Sequence, residues 1–202
     1  MLSLMNKNRL WGLMLVLLSA LLFSACSIKK AEKGKSVKER TNLEGTAKKF
    51  GNLKDFACKT LDGKKFELKD LKAYDLTILN FWSTWCGPCV EEMPELADFA
   101  AKLPENVQFV TVCLDGDEAP KEAKAILKEA GFRGRTIVSG EGDFLIVCDR
   151  IQYTPTTVLV DSEGNLIGDE MVGVQEDTEK AYLSYVNNAL KQMDKEEISF
   201  EK

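Results

Sequence analysis

The sequence predicts an α/β domain over residues 50–196, on three observations. Apolar runs from Leu76 to Trp82 and from Val107 to Leu114 have the length and β-branched content of buried strands. Between them Met93, Leu96, Phe99, Ala100 and Leu103 recur at the spacing of one helix face. Strand and helix patterns keep alternating and then close as strand, strand, helix, the order of a sheet covered by helices. With 202 residues, 45% of them apolar, the chain has enough material for one well-buried domain and extensions outside it.

In chain order, residues 1–25 carry an export signal. Lys7 and Arg9 supply the charged start, and Leu10 to Phe23 is an apolar core shorter than the ~20 residues of a spanning helix. Leu22-Phe23-Ser24-Ala25-Cys26 resembles a bacterial lipobox, with cleavage before Cys26 and a lipid on its sulfur, although Phe23 departs from the usual aliphatic residue. Ordinary cleavage near Ala25-Cys26-Ser27 and a retained anchor are the other two readings. All three place the domain outside the cytoplasm. Residues 26–49, rich in Lys, Glu, Gly and Thr, are expected to be a flexible charged tether.

Phe56 to Thr60 and Lys65 to Leu68 flank Asp62-Gly63, which predicts an N-terminal hairpin with Cys58 facing inward. Leu76 to Trp82 is the first central strand. A helix from Cys86 to about Leu103 follows, with a kink expected at Pro94, whose missing N–H releases the Val90 carbonyl. Val107 to Leu114 is a strand ending at Asp115-Gly116. Pro120 opens a helix that Gly131 closes. Thr136 to Val138 is a short strand, and Phe144 to Ile151 is taken as one or two helical turns. Strands Thr157 to Asp161 and Leu166 to Val172 flank a Ser-Glu-Gly-Asn turn. Asp177 or Thr178 caps a last helix reaching about Met193, after which the charged tail should fray.

The chemistry concentrates at Trp82-Ser83-Thr84-Trp85-Cys86-Gly87-Pro88-Cys89. A Cys-x-x-Cys pair beside a strand–helix pattern is the mark of a dithiol/disulfide redox centre. Cys86 falls at a helix N-terminus, where unpaired N–H groups and the positive end of the helix dipole favour a thiolate. Cys89, one turn in, can bond to it, and Pro88 occupies the first turn, where a missing N–H costs nothing. Half a zinc site has the same spacing. It would need two further ligands. The chain has no histidine, and Cys58, Cys113 and Cys148 stand singly on apolar runs, so the redox reading is preferred. A net charge of −5 gives no electrostatic case for nucleic acid.

Trp85-Cys86-Gly87-Pro88-Cys89 is the motif of thioredoxin, and its extension through Glu92, Met93 and Pro94 resembles the TlpA/ResA-like membrane-anchored thiol–disulfide oxidoreductases. The resemblance implies a thioredoxin fold, a central mixed β-sheet flanked by helices, with an N-terminal β-hairpin and a helix–strand insertion. It implies Cys86 as nucleophile and Cys89 as resolving thiol, with no cofactor beyond the redox-active Cys86–Cys89 disulfide. It also implies a buried Glu92 as proton acceptor, because the position of thioredoxin's buried aspartate is here Asn80. Trp85, Gly87, Pro88 and a cis-proline loop at Thr154-Pro155 would meet the substrate. Gly87-Pro88 is the dipeptide of reducing members, so disulfide reduction is expected, with net oxidation or isomerisation, or an assembly module that does not turn over, as the alternatives. Implied partners are exported disulfide-containing proteins, apocytochrome c or a methionine sulfoxide reductase among them, and a membrane electron donor of the DsbD/CcdA type, with the chain a monomer on its lipid anchor. In the thioredoxin arrangement Cys113 and Cys148 could be neighbours. A disulfide between them and two separate buried thiols are both open.

Overall fold

In the computed structural model, which describes residues 51–200, seven strands form one mixed sheet. The strands are β1 (Phe56–Thr60), β2 (Lys65–Glu67), β3 (Leu76–Trp82), β4 (Val107–Cys113), β5 (Arg135–Gly142), β6 (Thr156–Asp161) and β7 (Leu166–Val172). The helices are α1 (Leu68–Leu71), α2 (Gly87–Ala101), α3 (Pro120–Glu129), α4 (Asp143–Cys148) and α5 (Thr178–Gln192). The export signal, Cys26 and the tether lie outside the described residues. Among the described residues no helix is long and apolar enough to cross a membrane.

The strands run in the order β2-β1-β5-β4-β3-β6-β7. β3 lies parallel to β4 and antiparallel to β6, and its seven residues are all buried, as an unbroken apolar run requires when both faces are covered. Alternation along β3 then divides the core. Leu76, Ile78 and Trp82 join Met93, Leu96 and Phe99 of α2 and Tyr182, Val186 and Leu190 of α5 on one face. Leu79 and Phe81 join Phe56, Phe66, Val112, Phe144 and Val147 on the other. Asn80, of the same parity as Ile78 and Trp82, is carried to the α2/α5 face and is fully buried there.

The structure departs from the sequence reading in several places. β5 is longer than Thr136 to Val138, because its second half pairs with β1, Cys58 against Gly140 and Phe56 against Gly142. That half, Ser139 to Gly142, is polar and glycine-rich and shows no apolar pattern. Gly142 has φ +69°, and a Cβ there would lie 2.2 Å from the Asp55 carbonyl oxygen, so only glycine fits the corner into α4. Leu68 belongs not to β2 but to α1, which Glu67 and Asp70 close with a capping box. α2 runs through Pro94 to Ala101, in agreement with the helix expected from Cys86 to about Leu103. The tail does not fray. Asn187 and Ile198 exchange two hydrogen bonds of 2.9 and 2.8 Å, and the Phe200 ring packs edge-on against Phe99 at 5.4 Å.

Candidate active site

Cys86 is the N-cap of α2, with extended backbone angles (φ −83°, ψ 94°), and Gly87 and Pro88 are the first helical residues. The Cys89 N–H donates to Cys86 Sγ at 3.3 Å, so one orphan donor of the helix start points at the sulfur. Cys86 and Cys89 are joined by a disulfide with Cα atoms 5.3 Å apart. Cys89 has no exposure, whereas Cys86 keeps 6%, so an incoming group can reach only Cys86. Cys86 Sγ lies 3.6 Å from the Thr154 carbonyl oxygen, and the Thr154–Pro155 bond is cis. Gly87 and Pro88 are exposed beside it.

Around this opening the surface is aromatic. Trp85 is 77% and Tyr153 72% exposed, and both line a cleft of about 480 Å³ with Leu114, Asp115, Ile151 and Thr154. Trp82, by contrast, is fully buried against the disulfide. A larger hollow of about 650 Å³ lies between β7 and α5, lined by Met171, Tyr185 and Gln192, and holds no cysteine.

Glu91 is exposed and Glu92 buried, although they are neighbours, because the one-residue step turns Glu92 toward Cys89 and the sheet. Burial pushes the Glu92 carboxyl up to about 7; the facing Asn80 amide works against that rise and Glu95 adds to it. Glu92 Oε1 has no hydrogen-bond partner among the described residues.

Three groups that matter here were not picked out from the sequence. Asp115 accepts the Thr84 N–H at 2.9 Å, the Thr84 hydroxyl and the Cys113 thiol at 3.3 Å. Burial opposes its charge, but the Thr84 donors outweigh burial and hold the carboxyl below its usual range. It therefore pins the loop that delivers Cys86. The strand register contained the signal: Trp82 pairs with Cys113, which puts the two residues beyond each strand side by side. Thr157 and Tyr182 meet Asn80 beneath Cys89, from segments 77 and 102 residues away.

Cys113 and Cys148 do not pair, and the disulfide considered between them is ruled out. Cys113 is in the core beneath α2, whereas Cys148 packs with Cys58 on the opposite face of the sheet. Burial raises the pKa of all three, Cys148 to about 12, so they are thiols rather than thiolates.

A reactive cysteine at a helix N-terminus, its mate sealed beneath it and a proline loop opposite define a thioredoxin-type disulfide centre. The chain belongs to the Redoxin family, whose model matches residues 47–186. It is 33% identical over 121 residues to the thiol-disulfide oxidoreductase ResA of Bacillus thuringiensis, covering 60% of this chain and 68% of that one. With the ResA of Bacillus subtilis it shares 28% over 166 residues, 80% of this chain and 84% of the relative. Among solved structures it is similar to Mycobacterium tuberculosis DsbF (TM-score 0.50, 27% identity, 64% and 92% of the two chains). A thiol:disulfide interchange protein of Chlorobium tepidum shares the fold (TM-score 0.54, 24% identity, 69% and 95%). The chain is a ResA-like thiol–disulfide oxidoreductase.

Proposed function

We propose that this protein reduces disulfides in exported proteins, from a lipid anchor on Cys26 on the outer side of the cell membrane. The observation that carries the reading is the asymmetry of the pair. One sulfur is reachable and accepts a helix N–H, that of Cys89, and the other is sealed over a buried carboxyl group.

The reaction runs from the dithiol. The Cys86 thiolate attacks one sulfur of a target disulfide, forming a mixed disulfide and releasing the other target sulfur as a thiolate that takes up a proton. Cys89 then passes its proton to Glu92 and attacks Cys86 Sγ. The Cys86–Cys89 bond forms, the bond to the target breaks, and the target leaves as a second thiolate. The target gains two electrons and the dithiol loses them. An acceptor with a pKa of about 7 takes a proton from a buried thiol and gives it up again near neutral pH. Trp85, Tyr153 and the Thr154-Pro155 loop offer an apolar, aromatic rim to an extended polypeptide.

A membrane donor of the DsbD/CcdA type is proposed to return the chain to its dithiol form. Apocytochrome c and an exported methionine sulfoxide reductase are proposed targets. A Cys89→Ser variant tests the reading, because it stalls the mixed disulfide. Exported proteins with cysteine pairs should be recovered on Cys86 from intact cells, and the purified dithiol should reduce insulin. Recovery of cytoplasmic proteins alone, or a reduction potential far above the roughly −270 mV of thioredoxin, would sink it and favour net oxidation.

A further inference from the structure

The cleft beside Cys86 carries a charge that a purely apolar docking surface would not need. Its rim holds two exposed rings, Trp85 and Tyr153, together with Leu114, and its polar wall is the Asp115 carboxylate. Thr154 belongs to the same cleft and its carbonyl oxygen lies 3.6 Å from Cys86 Sγ, so a group that enters is next to the reacting sulfur. No lysine or arginine lines the cleft; Lys121 and Arg150, the nearest to its walls in sequence, lie outside it. The backbone under both rings is fixed. Thr156 Oγ1 donates to the Tyr153 carbonyl at 2.8 Å, and Asp115 anchors Thr84, the residue before Trp85, by its N–H and hydroxyl. Asp115 has room for one more donor. The Thr84 N–H, the Thr84 hydroxyl and the Cys113 thiol use three of the roughly four acceptor positions of a carboxylate. The Thr84 donors also hold this carboxyl below its usual range, so it stays ionised. Asp117 and Glu118, next on the same loop, are exposed and of the same sign.

We propose that this cleft selects target disulfides flanked by a positively charged side chain, an arginine or lysine lying over the Trp85 and Tyr153 rings with its charge against Asp115. This rests on the reading of the chain as a disulfide reductase and names the class of polypeptide that the reductase prefers. Ring faces attract a cation through their quadrupole, and the carboxylate adds a full opposite charge. An acidic side chain would be repelled there. A neutral one would strip water from the carboxylate and offer no partner in exchange. Trp85 directly precedes Cys86, and an extended chain advances only about 3.3–3.6 Å per residue, so the cation must lie within a few residues of the target cysteine. The chain's net charge of −5 draws basic polypeptides to the whole surface, an attraction that salt screens. The cleft makes that attraction local to the reacting sulfur.

The experiment uses synthetic peptides with one cysteine joined to thionitrobenzoate, identical except for an arginine, glutamine or glutamate beside the cysteine. The Cys86 thiolate of the reduced protein attacks the peptide sulfur, the Cys86–peptide bond forms, and thionitrobenzoate leaves as a coloured thiolate. Cys89 then frees the peptide as a thiol and closes the Cys86–Cys89 bond. Each second-order rate of release is divided by that of dithiothreitol with the same peptide, which removes the intrinsic effect of a neighbouring charge on the disulfide. The arginine peptide should react about fivefold faster than the glutamine peptide, and the glutamate peptide slower than both. Asp115→Asn and, separately, Tyr153→Leu should each cut the arginine-to-glutamine ratio by about half or more. Glu163→Gln, which removes the same charge beyond the far end of β6, should leave the ratio as it was. Because the readout is a ratio, a variant that only loosens the loop before Cys86 slows both peptides alike and does not move it. Equal rates for the arginine and glutamine peptides overturn the proposal while disulfide reduction stands. So does a ratio that Asp115→Asn or Tyr153→Leu leaves in place, or that Glu163→Gln lowers as much. If the dithiol frees no peptide thiol at all, the reductase reading fails and the selection with it.

Discussion

The two faces of the sheet each carry cysteines in a closed core, and only one of them does chemistry. On the α1/α4 side Cys58 sits mid-strand among Phe66, Phe144 and Val147, with Cys148 beside it. On the α2/α5 side Cys86 stands where a strand has just ended and a helix begins, with the Cys89 N–H aimed at its sulfur. Burial is similar, 4% exposure for Cys58 and 6% for Cys86. What differs is the supply of backbone donors. A mid-strand sulfur has its neighbouring N–H groups committed to the ladder, whereas a helix start has donors to spare. Reactivity here is set by where the backbone runs out of partners, not by how deep the sulfur lies.

The largest effect should come from exchanging the roles of the two faces. Cys86→Ser should lower insulin reduction by more than about a hundredfold, since a hydroxyl cannot carry the exchange. Cys58→Ala should leave turnover within about twofold and cost about 1 kcal/mol of stability from the small cavity. Alkylation of the reduced protein should label Cys86 first, with Cys58 and Cys113 reacting only on unfolding. Rapid labelling of Cys58 in the folded protein would break the distinction.

The second effect sharpens the comparison through pH. The raised carboxyl of Glu92 means the folded state binds its proton more tightly than the unfolded chain does. Its contribution is fully present below the ordinary value of 4.5 and is lost as pH rises through about 7. Glu92→Gln should therefore change stability little at pH 4 and raise it above pH 7, by at most about 3 kcal/mol if the whole shift is expressed. Denaturant midpoints across pH 4 to 8 measure it directly. A flat difference across that range would mean the carboxyl group is solvated.

Sequence and structure agree where the determinants are local. The apolar run into Trp82, the helix start at Cys86 and Pro88 in the first turn lie within a few residues of one another, so strand, cap and redox pair are all visible in a short window. The hidden parts are non-local. Ser139 to Gly142 joins the sheet only because β1 comes alongside, and no pattern in those polar residues announces it. Cys148 lies beside Cys58 rather than Cys113 because α4 crosses to the other face, which spacing does not reveal. Asn80 was visible as an absence of the expected acid, but its partners Thr157 and Tyr182 are brought in by topology.

A third effect concerns the loop before Cys86. Asp115→Ala removes the acceptor for both Thr84 donors and should cost about 1.5–3 kcal/mol, the range for bonds to a charged group. Asp115→Asn, which keeps one acceptor oxygen, should recover part of that. The rate of attack by Cys86 should fall with the alanine variant and return partly with asparagine. An unchanged rate in Asp115→Ala would show that the helix alone places the sulfur.

The smallest effect asks whether the α2/α5 face behaves as one unit. Phe200 packs on Phe99, Phe99 packs on Tyr182 at 5.4 Å, and Tyr182 belongs to the polar cluster under Cys89. The tail is thus linked by ring contacts to the redox centre, although Phe99 lies thirteen residues beyond Cys86, about 20 Å along the helix. Ring contacts resist compression but set no proton or hydrogen-bond direction, so a half-buried ring at the far end should contribute stability alone. Phe200→Ala should cost about 1 kcal/mol, read from the denaturant midpoint, with the pH profile of resolution unmoved. A shift in that profile would mean that packing at the tail reaches the Tyr182 hydroxyl. The active face would then be a single mechanical unit from tail to disulfide, instead of a local site resting on an ordinary core.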